Sequence, residues 1–132
     1  MAKKQVATFL GTQKGLSTLG DHAYAMSGPF TIGDAAVVTA LDFTTGSTSY
    51  IRADIQAGFV NRSNDDNRLS VKINGETVSS MQFSNTFGEY PGLGWMVVML
   101  PPSSRIEIIG TKVSGTNDDS MVVWLTGRKY DA

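Results

Sequence analysis

Apolar and polar residues alternate along most of this chain with a period of two. The pattern is clearest from Tyr50 to Val60, where Ile51, Ala53, Ile55, Ala57 and Phe59 take one side and Arg52, Asp54, Gln56 and Gly58 the other. Successive side chains of an extended segment point to opposite faces, so this spacing predicts a strand with one face buried and one wet, as in an antiparallel sheet covered on one side. Leu69, Val71 and Ile73 resume the alternation and run into Asn74-Gly75. Both residues accept positive φ, so the pair predicts a tight hairpin returning through Glu76–Phe83.

Shorter alternating stretches precede these. Tyr24, Met26, Phe30 and Ile32 are broken by Gly28-Pro29, as at an edge strand or a bend, and Val37, Thr39, Leu41 and Phe43 share one face. Trp95–Leu100 is a continuous apolar run, too short for a helix. It places Trp95, Val97 and Met99 on one face and Met96, Val98 and Leu100 on the other; one core absorbs one face, and the second asks for a covering segment or a neighbouring subunit. Arg105–Val113 and Met121–Thr126 complete the set, with a polar tail after them. About eight strands at regular spacing, with turn residues between and no helical period, predict an all-β, two-sheet antiparallel sandwich resembling a jelly roll.

Residues 1–20 lack a steady period and carry Gly11, Gly15 and Gly20. They read either as an extended N-terminal arm ordered by contact with something else or as a frayed end with one short strand at Val6–Leu10. With the arm reading, residues 21–132 form the sandwich domain. In that role Lys3, Lys4 and Lys14 would offer charge contacts, and Phe9 and Leu10 apolar anchors, to a protein surface.

Composition supports the strand reading. The 132 residues include 13 Ser and 13 Thr but three Glu, which suits a pleated surface better than long helices. A net charge of −1 gives no global attraction for nucleic acid or an anionic membrane, and no apolar run reaches the roughly 18 residues of a spanning helix. The absence of cysteine removes thiol chemistry and thiolate metal sites.

The chemistry-bearing residues are few. Two clusters, Arg62–Arg68 (RSNDDNR) and Thr116–Ser120 (TNDDS), raise the question of calcium, with Asp65, Asp66, Asp118 and Asp119 as ligands if the two loops met. Neither has the alternating spacing of a calcium loop, and Asn and Asp favour turns by bonding their own backbone, so turns are the preferred reading and no metal or other cofactor is expected. His22 is the single histidine, and no nucleophile elbow or zinc motif accompanies it, so an enzyme is not expected. Trp95 and Trp124 lie in apolar runs, where core or interface packing explains them more cheaply than sugar stacking. Phe87 and Tyr90, in the polar stretch Ser84–Gly94, are the better candidates for ligand or partner contact.

The stretches IRADIQAGFVNRSNDDNRLSVKINGETV, VVMLPPSSRIEIIG and VVWLTGRKY together resemble small jelly-roll structural proteins of tailed phages and other viruses, of the head-decoration or cement type. The resemblance covers about residues 35–130 and is one of layout, without a diagnostic motif. It implies a non-enzymatic virion structural protein made in the host cytoplasm, which decorates or cements a capsid as a homo-oligomer, commonly a trimer, against the major capsid protein or another virion protein. The alternative from the residues is a carbohydrate-binding module or receptor-binding tip. A hydrolase built around His22 is a third reading.

Overall fold

In the computed structural model, which describes residues 16–83 and 94–131, the alternating runs become ten strands. These are β1 (Ser17–Leu19), β2 (His22–Met26), β3 (Phe30–Ile32), β4 (Val37–Thr44), β5 (Ser49–Asn61), β6 (Asp66–Ile73), β7 (Glu76–Phe83), β8 (Gly94–Leu100), β9 (Arg105–Ser114) and β10 (Asp119–Asp131). One sheet has the order β1-β2-β10-β5-β8, with β3 also on β10; the other has the order β4-β9-β6-β7. Every pairing is antiparallel, and four nested pairs account for the topology: β6 with β7, β5 with β8, β4 with β9, and β10 with β2 and β3. A long hairpin rolled over two sheets gives this nesting, and it is the jelly roll that the sequence predicts.

The strand number exceeds eight for identifiable reasons. β2 and β3 lie end to end along β10, against Trp124–Arg128 and Asp119–Met121, so they are one strand interrupted at Gly28-Pro29. β1 adds a hairpin on β2 through Gly20, whose φ is +59°, and so falls inside the segment read as an arm. β10 also continues through the stretch read as a polar tail, because β5 is long enough to pair with it as far as Asp131↔Ser49. The Asn74-Gly75 turn is as expected, with φ of +51° and +87°.

The core lies between the sheets. Phe43, Leu41, Ile55, Leu69, Ile108 and Leu125 are among the side chains fully removed from water. Each comes from the apolar parity of its strand, so truncating any of them to alanine would open a cavity costing about 2–5 kcal/mol.

Candidate functional site

The two Asp-Asp clusters do meet. β5 and β9 both end at the same end of the sandwich, and the loops leading to β6 and β10 lie side by side there. One carboxylate from each converges on Lys112, whose Nζ donates to Asp119 Oδ2 at 2.6 Å and to Asp65 Oδ2 at 3.2 Å. The Lys112 side chain is 1% exposed. Around it, Asn67 Nδ2 donates to Asp119 Oδ2 at 2.9 Å, the Ser63 N–H to Asp119 Oδ1 at 2.6 Å, and the Asn117 N–H to Asp65 Oδ2 at 2.8 Å. Gly115 has φ +94°, and any Cβ there would collide with the Asp65 carboxylate. The knot ties β6 and β9 of one sheet to β10 of the other.

Burial pushes both carboxyls up, but the hydrogen bonds and the ammonium outweigh it. For Asp65 these are the Asn117 N–H, Lys112 and the Asn117 amide; for Asp119 they are Lys112, Asn67 and Ser63. Both therefore titrate below the ordinary carboxylate range. The place where two converging carboxylates could hold a cation is filled by a cation of the chain itself. Asp66 and Asp118 do not join them: Asp66 is half-buried at the start of β6, and Asp118 is exposed near Gly33. Among the described residues, no three His, Cys, Asp or Glu side chains are grouped as for a metal ion. Carboxylates held ionised and buried this way fix two loops, and are poor proton donors near neutral pH.

The exposed chemistry lies on the outer face of the first sheet. Strand register places Met26, Trp124, Gln56 and Trp95 in one row across β2, β10, β5 and β8. The next row is Tyr24, Thr126, Asp54 and Val97, and the third His22, Arg128, Arg52 and Met99. On β8, Trp95, Val97 and Met99 are 64%, 47% and 52% exposed, while Met96, Val98 and Leu100 are buried. Trp95 is therefore not a core residue, and Trp124, half-buried, also faces outward. Beside the stripe, His22, Tyr24, Arg52, Asp54, Thr126 and Arg128 line a shallow open depression of about 310 Å³. Arg52 and Asp54 form an exposed pair at 3.4 Å.

The sequence-predicted contact residues fall elsewhere. Lys3, Lys4, Phe9, Leu10 and Lys14 lie outside the described residues, as do Phe87 and Tyr90. Sequence reasoning missed Lys112 altogether, although its position carries a signal. It shares the inward parity of Ile106, Ile108 and Gly110, and a lysine at a core position needs carboxylate partners.

No family model matches the chain, and neither does any curated protein. Solved structures similar to it include the periplasmic inhibitor of g-type lysozyme PliG from Aeromonas hydrophila, 12% identical over 92% of each chain with a TM-score of 0.45. A family 35 carbohydrate-binding module from Clostridium thermocellum is 11% identical, covering 93% of this chain and 88% of its own, with a TM-score of 0.40. The VP2 subviral particle protein of infectious bursal disease virus is 11% identical over 92% of this chain and 37% of its own, with a TM-score of 0.48.

Proposed function

We propose that this protein is a non-enzymatic virion structural protein, which decorates or cements a phage capsid by protein–protein contact through the outer face of its first sheet. The observation that supports this reading is the stripe of Trp95, Val97 and Met99, three large apolar side chains standing in water on a strand without a charge. Contiguous apolar surface rimmed by polar groups marks an interaction site, and an exposed tryptophan is a typical anchor. The knot around Lys112 contributes rigidity: it holds one end of the sandwich in a single arrangement, so the face docks as a preformed surface.

Co-sedimentation with tailed-phage capsids tests the proposal. Wild-type protein is expected to pellet with the particles, and Trp95→Asp to lose at least about tenfold in affinity, as truncating an anchor residue does. The Trp95 side chain points away from the core, so the variant keeps its fold, which circular dichroism checks. No retention on any particle, or equal retention of the variant, would overturn the proposal.

The depression beside the stripe favours one second reading, a carbohydrate-binding module or receptor-binding tip. Tyr24 offers an exposed ring there, next to the hydrogen-bonding groups of Thr126, Asp54 and Arg52. A glycan array decides this: specific retention that Tyr24→Ala removes supports it, and a blank array rejects it.

A further inference from the structure

We infer that β8 pairs edge to edge with the β8 of a second copy of this chain, antiparallel about a two-fold axis at Val97. The inference rests on reading the β8 stripe as a contact surface and adds a second copy that lengthens it.

β8 is the last strand of its sheet, with β5 on one side and, among the described residues, no strand on the other. Half of its main-chain N–H and C=O groups therefore point outward with no strand among the described residues to pair with, a template that sheets normally protect with charge, proline or short length. The other described edges show such protection. β1 has three residues, β4 carries Asp42 in a hydrogen-bonded pair with Arg105, and β7 carries Glu76. β8, with the sequence GWMVVML, is seven residues long and has none. An edge of this kind left bare in water would associate indiscriminately, so its lack of protection points to a specific cover.

The strand complements itself. A two-fold axis at Val97 sets Val97 against Val97 of the second copy, Trp95 against Met99, and Met99 against Trp95. On the outer face this makes one continuous apolar band, with sulfur against aromatic ring at both ends. The charges also agree. Asp54 lies in the Val97 row on β5, so the two Asp54 residues stand three strand spacings apart, about 14 Å, beyond the screening length at physiological salt. Each is already close to Arg52 of its own copy.

The stripe exposes on the order of 300 Å² per copy, well below the roughly 800 Å² per partner of a standard stable interface. The pairing alone is therefore weak and concentration-dependent, and a lattice that raises local concentration would complete it. A two-fold contact replaces the three-fold one that the family resemblance implies.

Sedimentation velocity from about 10 µM to about 1 mM, a span that brackets weak association, tests this. A monomer–dimer equilibrium is expected, and Val97→Lys, with two ammonium groups facing across the axis, should raise its dissociation constant about tenfold or more. In a chain without cysteine, Val97→Cys should also form a covalent dimer under mild oxidation. Val78→Cys, exposed on β7, should not. A wild-type monomer at every concentration, a trimer, or a dimer indifferent to Val97→Lys would overturn the inference. If Trp95→Asp still abolishes particle attachment while the wild type stays monomeric, self-pairing fails and the attachment reading stands; if neither property responds, both fail.

Discussion

Replacing Lys112 with methionine is expected to destabilise the protein by about 3–5 kcal/mol at neutral pH, the cost of leaving a buried carboxylate without its counter-charge. For a domain of this length that corresponds to a loss of roughly 10–20 °C in melting temperature. The Lys112 and Asp119 side chains are 1% and 0% exposed, so solvent screens little of the interaction. Methionine preserves most of the lysine stem, which keeps the effect on the charge and not on a cavity. The sign of the pH dependence distinguishes this mechanism from lost packing. In the wild type, Asp65 and Asp119 titrate below the unfolded carboxylate value, so their contribution is present above about pH 4 and is lost as pH falls through the folded values. In Lys112→Met the ammonium is gone and only the hydrogen bonds from Asn117, Asn67 and Ser63 oppose burial, so the same carboxyls titrate higher than in the wild type. The variant then gains less stability than the wild type as pH rises from acid to neutral. Urea midpoints measured from pH 3 to pH 7 should show a gap that closes toward acid; a gap independent of pH would reject the charge argument. Adding Asp119→Asn, which keeps the acceptor for the Ser63 N–H and removes a charge, should recover part of the loss.

That knot also shows how far the chain could be read in advance. Strand periodicity gave the architecture because each strand buries one face, so Ile51 to Phe59 or Ile106 and Ile108 declare their side without help from the rest of the chain. The same periodicity held the site, at strand ends where it is easy to stop counting. Asn67 precedes Leu69 and Val71, Lys112 follows Ile106, Ile108 and Gly110, and Asp119 precedes Met121, Val123 and Leu125, all on inward parity. Three polar residues on core positions could be read as needing one another. What sequence could not supply was that the three ends coincide, since this depends on β9 crossing beside β6 and on β10 lying in the opposite sheet. The local preference of Asn and Asp for turns was real but incomplete, because a loop can be a turn and still deliver one carboxylate inward. Trp95 was obscured differently. In a run apolar on both parities, periodicity identifies two faces but not which of them meets the core, and the register with Gln56 decides it.

Gly115→Ala is expected to cost about 2–4 kcal/mol, the sum of a strained backbone and a displaced partner. At φ +94° any L residue is strained, and the added methyl would occupy the space of the Asp65 carboxylate, which must move off Lys112 and Asn117 to admit it. Gly75→Ala isolates the first contribution. Gly75 has nearly the same backbone, at φ +87°, but nothing lies near its missing Cβ, so only strain should register, at about 1–2 kcal/mol. Thermal melts of the two single variants therefore separate collision from conformation, and equal losses would mean that Asp65 yields freely. The stronger test is a cycle with Lys112→Met. Both substitutions act by parting Asp65 from the ammonium, so the second should cost less once the first is made, with a coupling of about 0.5–3 kcal/mol. Gly75→Ala, at the far end of the sandwich, should add to Lys112→Met without coupling. Additivity at Gly115 would mean that this loop is held by something other than the lysine, whereas coupling there and none at Gly75 would locate the cooperative unit at the end where the two acidic loops meet.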